Sequence, residues 1–512
     1  MWQKLIDQVD SLVDGITMYR LLLYYLLGLL IAAIGLSAVG DINYNAIYIA
    51  VSAGILVAAC WIINKVLAYL FDAPVNPESS ILTGLILALI ISPDFSNKLN
   101  FLFLLAAAGL AMGSKYVLTY REKHLFNPAA VAIVLTALGP HQEASWWVGT
   151  AALLPFVIIG GVLVMRKVRR EHMVIAFWVA TTVTTAAFSI VDKTNILTSL
   201  REMVLSSAMF YLGFVMLTEP YTSPTVRKWQ LWYAAIVGVI LAPQFHIGHY
   251  YSSPEVALIA GNIFAFIVSP KTKLFPRLRE KVEVANDTAD FVFVPDRPFT
   301  YKPGQYMEFT LPHTGTDNRG SRRYFTIASS PTEKELRIGV KFYDKGSSFK
   351  EAMLALDQNS AIVAAQLSGD FVMPDDQSKK LAFIAGGVGI TPFRSMVKYL
   401  VDTGEQRDVT LLYSARTTAD FAYVPIFEEA RRTIGLSTIY TATGTAQSTK
   451  YLPALRRGAI TAALIQQELP DYAERTFYIS GTHRMVVTIQ DILRELGVPA
   501  RQVKTDFFPG YA

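Results

Sequence analysis

Cysteine is nearly missing from this 512-residue chain, where Cys60 is the single instance. An intramolecular disulfide is therefore excluded, and so is a thiolate-ligated iron–sulfur cluster or a cysteine-based zinc site built from this chain alone. Charge is scarce too, 17% of residues against ~25% in an average soluble protein. The scarcity is local: residues 1–270 hold 29 charged side chains and the shorter remainder holds 58. The net charge of +5 is scattered, without the concentrated basic face and interleaved aromatics that nucleic acid requires, so no nucleic-acid partner is expected. No metal site is expected either.

What the first half has instead is long apolar runs, at about Tyr19–Val39, Ala46–Leu70, Ser80–Ser92, Asn100–Val117, Phe126–Leu138, Trp146–Met165, Met173–Val191, Met203–Leu217, Trp229–Ala242 and Val256–Val268. These ten runs are candidate spans, several longer than the ~20 residues a bilayer crossing needs. Ser80–Ser92 and Phe126–Leu138 are short and end at Pro93 and Gly139-Pro140. Each reads either as a half-helix facing a cavity or as an ordinary short helix. Met1 to Asp14 is polar and acidic, unlike a cleavable signal peptide. With the N-terminus inside, internal loops carry nine Lys and Arg and external loops three. The positive-inside rule then gives a multi-pass protein of the cell (inner) membrane, with the lipid bilayer as partner and the C-terminal half in the cytoplasm.

Pro-opened apolar segments recur, at Asn76-Pro77 and Phe126-Asn127-Pro128, then at Ser223-Pro224 and Ser253-Pro254. The pattern permits an inverted repeat with helix N-termini near mid-membrane. Lys123-His124-Leu125-Phe126-Asn127-Pro128-Ala129-Ala130 and Leu217-Thr218-Glu219-Pro220-Tyr221-Thr222-Ser223-Pro224 resemble two segments of the family of ten-helix membrane proteins found in both the sodium-pumping NADH:quinone oxidoreductase and the Rnf complex. Glu219 stands where that family has Asp. The resemblance covers about residues 20–270 and implies a membrane flavin. The family's Ser/Thr-Gly-Ala-Ser/Thr flavinylation tetrapeptide does not occur here, so FMN or riboflavin would have to be held noncovalently.

After a Lys-, Arg- and Pro-rich linker over Pro270 to Lys281, the pattern becomes alternating strands at Val282–Val294, Gln305–Leu311, Tyr324–Ala328 and Leu336–Phe342. Turns at Pro303-Gly304 and Lys345-Gly346 separate them, as in a small antiparallel barrel. From Lys380 the order changes to strand, glycine loop and helix: Leu381–Ala385, then Gly386-Gly387-Val388-Gly389-Ile390-Thr391-Pro392, then Phe393–Val401. Later strands at Asp408–Tyr413 and Thr476–Ile479 complete an open parallel sheet. A glycine turn between strand and helix lets backbone N–H groups approach a pyrophosphate. Arg323-Tyr324-Phe325-Thr326-Ile327-Ala328-Ser329 joins a phosphate-pairing guanidinium to an aromatic face and a hydroxyl. Alternation puts Arg323, Phe325 and Ile327 on one face, Tyr324 and Thr326 on the other. Gly346-Ser347-Ser348-Phe349 opens a second helix and offers another anion site.

This order resembles the ferredoxin–NADP reductase family over residues 282–512. Lys302-Pro303-Gly304-Gln305-Tyr306 matches its Pro-Gly-Gln turn, and Arg323 to Ser329 its Arg-x-Tyr-[Ser/Thr]-x-x-Ser segment, with Phe325 in the tyrosine place. The resemblance implies that Arg323 holds FAD phosphate, Phe325 stacks near the isoalloxazine and Thr326 bonds near the reactive nitrogen. Gly346, Ser347 and Ser348 would hold the FAD pyrophosphate. Gly386, Gly387, Gly389, Thr391 and Pro392 would hold NADH or NADPH. Ser480 replaces the cysteine of Cys-Gly-Pro-x-x-Met, beside Gly481. Phe508 belongs to the aromatic end that flanks the flavin. Tyr306 and Tyr324 join the flavin set. Ser414 and Arg416 sit where a 2′-phosphate would bind, so the choice between NADH and NADPH stays open.

The fold class expected is thus a polytopic α-helical membrane domain (residues 1–275), an antiparallel β-barrel FAD domain (282–376) and an α/β parallel-sheet NAD(P) domain (377–512). The function expected is a membrane flavoprotein oxidoreductase that takes hydride onto FAD and passes electrons into or across the membrane, through a flavin or a quinone, the acceptor a quinone or an extracytosolic flavinylated redox protein. A bilayer core ~30 Å thick is too wide for one useful hop. A second flavin at a helix N-terminus is the remaining carrier, with Asn127 and Glu219 as its candidate contacts. Two alternatives remain open: a haem-containing ferric reductase or NADPH oxidase-like enzyme, using some of His124, His141, His172, His246 and His249, and a transporter with a regulatory reductase domain.

Overall fold

The computed structural model describes residues 13, 16–71, 77–95, 98–120, 123–138, 144–206, 208–242, 245–247, 250–269, 272–317, 320–343, 346–444 and 455–507. The chain divides into two compact units, Met1–Lys271 and Thr272–Ala512.

The first unit is helical, and a helix falls on each apolar run of the sequence. Four are long and apolar enough to cross a membrane: Met18–Ala38, Ala46–Leu70, Asn100–Val117 and Glu171–Val191. Glu78–Ile90, Pro128–Leu138 and Pro254–Val268 are shorter apolar helices. Polar caps start several of them. Thr17 accepts from Arg20 N, and Asn45 from Ile47 N and Tyr48 N. Asn127 Oδ1 accepts from Ala129 N and Ala130 N, with Pro128 in the first turn, where its missing N–H costs nothing. At Ser223-Pro224 the structure departs from expectation, because the next helix starts three residues later, at Arg227. A π turn over Leu212–Met216 precedes this stretch and shifts the face that Thr218 and Glu219 present.

The second unit begins earlier than the residue 275–282 boundary expected from composition. Leu274 and Leu278 are buried, and Lys273–Leu274 already pairs with Ala364–Ala365. The run expected as one strand over Val282–Val294 is a hairpin. Arg277–Ala285 and Thr288–Val294 pair antiparallel across Asn286-Asp287, with Asp287 at φ +51°, a left-handed position that Asp tolerates. Where one barrel is expected, hydrogen bonds divide the strands into two antiparallel sheets. Leu336–Lys341, Thr288–Val294 and Arg277–Ala285 form one; Lys273–Leu274, Val363–Ser368, Tyr306–Thr310 and Arg322–Thr326 form the other. Phe291, Phe293, Met307, Phe309, Ile338 and Phe349 fill the core between them.

The last part is a six-stranded parallel sheet in the order Leu455–Arg457, Ser437–Ala442, Val409–Ala415, Leu381–Gly386, Thr476–Gly481 and Val503–Phe507. Its central strand shows why both faces are covered. Leu381, Phe383 and Ala385 join one apolar core, Ala382 and Ile384 the other. A strand apolar on both faces is what crossover helices on both sides require.

Candidate functional site

The carboxyl ends of the central strands gather the expected dinucleotide residues. Gly386 ends Leu381–Gly386, Gly387–Ile390 forms a 3-10 turn, and Thr391–Thr403 follows as a helix with Pro392 in its first turn. Thr391 Oγ1 donates to Val388 O at 3.2 Å, which closes the loop on itself. A Cβ on Gly389 would lie 2.5 Å from Ser480 O and 2.7 Å from Gly481 Cα. Only glycine lets this loop lie against the Thr476–Gly481 strand. Ser414 is half-buried and Arg416 exposed at the end of the adjacent strand.

Thr326 and Ser480 come together through a residue that the sequence reading missed. Thr326 Oγ1 donates to Asp506 Oδ2 at 3.4 Å, and Asp506 is the strand partner of Ser480. Burial, with Asp370 nearby, pushes the Asp506 carboxyl up to about 7, against the lowering effect of the Thr326 hydrogen bond. It therefore exchanges a proton near neutral pH. Ser480 is fully buried, and its hydroxyl has no hydrogen-bond partner among the described residues. Asp506 left only a weak sequence signal: it ends an alternating strand just ahead of the terminal aromatics. Phe508 lies outside the described residues.

The expected pyrophosphate contacts also converge. Asp317 Oδ1 lies 3.8 Å from Arg323 Nη2, while Asp317 Oδ2 accepts from Ser348 N at 3.1 Å. The guanidinium also donates to Gly320 O (3.1 Å) and Arg322 O (2.6 Å), and lies 5.2 Å from the Phe349 ring centroid. One carboxylate thus sits between the guanidinium and the amide assigned to phosphate, so this donor set suits an anion. Ser347 is buried and caps Lys350 N; Gly346 precedes it with ordinary spacing. Phe325 is half-buried and packs on Phe309 and Phe349. Tyr324, 42% exposed, meets Tyr306 edge to face at 5.6 Å. The exposed ring of this strand is therefore Tyr324, with Phe325 packed inward.

In the first unit, the two segments singled out from sequence meet. Asn127 Nδ2 donates to Glu219 Oε2 at 2.8 Å, and Thr222 Oγ1 donates to the same oxygen at 3.0 Å. Asn262, from Pro254–Val268, accepts from Asn127 N and donates to Thr222 O. His124 stacks on Tyr221 and lies 3.8 Å from Glu219 Oε1. Asn127 and Glu219 border a small pocket with Lys115, Ser79 and Thr83 on its polar side and Leu22, Leu82 and Val215 among its apolar walls. Lys115, absent from the sequence candidates, donates to Ser79 O, Ser79 Oγ and Thr83 Oγ1 at 3.0 Å each. His172 is held by Gln230 at 2.7 Å; His141 and His249 lie outside the described residues.

Residues 383–491 match the oxidoreductase NAD-binding domain family. The chain is 28% identical over 222 residues to the glycine betaine monooxygenase reductase subunit of Chromohalobacter salexigens, covering 42% of this chain and 60% of that protein. It is 28% identical over 214 residues to the reductase component of propane 2-monooxygenase from Rhodococcus jostii, covering 41% and 56%. A solved FAD/NAD-binding domain of nitric oxide dioxygenase from Vibrio cholerae is 20% identical, covering 46% of this chain and 99% of that one at a TM-score of 0.42. The chain spans little more than half the length of the curated relatives it matches. The loop Gly386–Pro392 and the Thr476–Gly481 strand that bears Ser480 thus lie within the segment that matches this family.

Proposed function

We propose that this chain is a membrane-bound NAD(P)H-dependent flavoprotein oxidoreductase that takes hydride onto FAD in its C-terminal unit and passes electrons into its helical unit. FAD and NAD(P)H are the cofactor and reductant typical of this class of reductase domain. The observation that carries the reading is the meeting of Thr326, Ser480 and Asp506 beside the Gly386–Ile390 loop. When bound, FAD supplies acceptance of a two-electron hydride and its release as single electrons. The chain's own residues do the rest. The glycine loop admits the dinucleotide backbone, Arg323 and Ser348 N–H hold phosphate once Asp317 yields it, and Asp506 holds a proton beside Thr326.

In the helical unit, the acceptor is a noncovalent FMN or riboflavin, or a quinone, at the cavity bordered by Asn127, Glu219 and Lys115. Ionisable and amide side chains are costly among apolar helices, and such groups mark functional paths. Ten crossings in the inner membrane, with the reductase unit in the cytoplasm, complete the proposal. A quinone or an extracytosolic flavinylated redox protein receives the electrons. Purified full-length chain should bleach its flavin absorbance on anaerobic addition of NADH or NADPH; a protein that stays colourless after FAD addition refutes the reading. Flavin per chain above one, falling to one in Asn127→Leu, places a second flavin at the cavity. A ratio of one in both removes it.

A further inference from the structure

Two parts of the C-terminal unit must hold a fixed separation if hydride is to pass: the strand that bears Thr326 and the glycine loop that leads into Thr391. Each belongs to a different sheet system. Arg394 lies one helical turn after Thr391, and its side chain crosses to the other system. Its Nη1 donates to Ala328 O at 3.0 Å, two residues beyond Thr326. Its guanidinium also grips the Glu333 carboxylate through both terminal nitrogens, Nη2 to Oε1 at 2.9 Å. Glu333 in turn accepts from Ser330 N at 2.6 Å. The next residue repeats the link, with Ser395 Oγ donating to Ser329 O at 2.6 Å. Arg394 and Ser395 are 4% and 0% exposed, so water does not compete for these bonds.

We infer that Arg394 is a positioning residue, which with Ser395 fixes the dinucleotide loop against the flavin strand and so sets the hydride-transfer distance. Arg394 is three positions after Thr391 and Ala328 two after Thr326, with one guanidinium between. This tie joins the helix after the loop to the flavin strand and is separate from the Thr326–Asp506–Ser480 link across the strands. A single surface ion pair would contribute little, but this one is buried, forked and bonded to backbone at the point of interest. Arginine's planar fork fixes direction as well as distance, which a lysine ammonium cannot do.

The inference rests on the hydride-transfer reading, and the test separates the two. Full-length chain loaded with FAD is mixed anaerobically with NADH or NADPH deuterated at the transferred position, and flavin bleaching is followed in a single turnover. Failure of the wild type to bleach refutes the functional reading itself. If the wild type bleaches, Arg394→Met should keep its FAD and bleach about 10²-fold more slowly, the cost of a misplacement of about 1 Å. The isotope effect should grow, while the dissociation constant of the nicotinamide shifts by less than about threefold. Arg394→Lys, which keeps the charge beside Glu333, should recover part of the rate but not all. Bleaching within about twofold of wild type in FAD-loaded Arg394→Met overturns the inference. If that variant does not fold, Arg394→Lys decides alone: an unchanged rate and isotope effect overturn it, and a slower rate with a larger isotope effect supports it.

Discussion

The glycine loop allows a matched pair of substitutions whose outcomes the structure separates. Gly389 and Gly387 stand two residues apart, yet each is glycine for a different reason. A Cβ at Gly389 would meet Ser480 O, Ser480 C and Gly481 Cα at 2.5, 2.6 and 2.7 Å, where ordinary contact begins at 3.4 Å. All three are backbone atoms of the neighbouring strand and cannot rotate away. Gly389→Ala must therefore push the loop off the strand by roughly 1 Å, at about 1–3 kcal/mol for overpacking. At Gly387 nothing lies within 4 Å, but φ is +54°. Alanine there costs about 1–2 kcal/mol for left-handed backbone while leaving the loop in place. Both variants should melt lower by similar amounts. Only Gly389→Ala should also slow flavin reduction, by about 10²-fold if the displacement reaches the nicotinamide. Melting temperature and single-turnover bleaching on the same preparations make the comparison. Equal rates in the two folded variants would refute the reasoning, because the close approach would then have no bearing on the site.

Asp317→Ala should tighten FAD binding while Arg323→Ala weakens it, each by about 10–100-fold, since charge-assisted hydrogen bonds of ~1.5–3 kcal/mol are freed or lost; titration of flavin-free chain with FAD measures both. The Asp506 carboxyl is raised from its ordinary 3.8 to about 7, so the folded state keeps a proton that the unfolded chain releases between those values. Stability should therefore fall as pH rises from 4 to 7, by up to ~4 kcal/mol. Asp506→Asn should raise the calorimetric melting temperature of flavin-free protein at pH 8 and leave it little changed at pH 4. Ser480→Ala removes a buried hydroxyl without a partner and should stabilise flavin-free protein by ~1 kcal/mol. It should also slow hydride transfer; a variant both stable and fully active would show that the hydroxyl has no ligand to serve.

Much of this was legible in sequence because the signals are local. The strand–Gly-Gly-x-Gly–helix order around Leu381–Thr403 is carried by contiguous residues, and its strand and helix lie within two residues of where periodicity puts them. The Val282–Val294 hairpin was not legible, because Asn286-Asp287 interrupts alternation by two residues and so preserves the phase on both sides. Asp317 escaped for a different reason. Its role depends on a loop returning from Gly320 to the start of the Ser348–Leu354 helix, a contact between positions 31 apart. Lys115 reads in sequence as a loop cation at a helix end. Its burial in a cavity follows only once Ser79 and Thr83 are seen to accept its three protons. Asn127 and Glu219 were picked from separate segments, and their direct hydrogen bond depends on the Asn262 amide that ties both.

Two of the buried hydroxyls without partners stand at the carboxyl ends of the parallel strands. Ser480 and Thr441 are buried there with hydroxyls that lack partners among the described residues, and Asp506 sits nearby with its ionisation penalised. Asp290, close to Thr391, is the reverse case. Asp290 is fully buried, yet it accepts from both Tyr423 and Arg337, and the latter contact is 3.1 Å. Burial raises the Asp290 carboxyl, and those two partners pull it back. Unpaired buried hydroxyls such as those of Ser480 and Thr441 are gaps of the kind that a bound ligand fills. The Gly386–Ile390 loop lies against Ser480 itself, which ties that unpaired hydroxyl to the dinucleotide site by position as well as by chemistry.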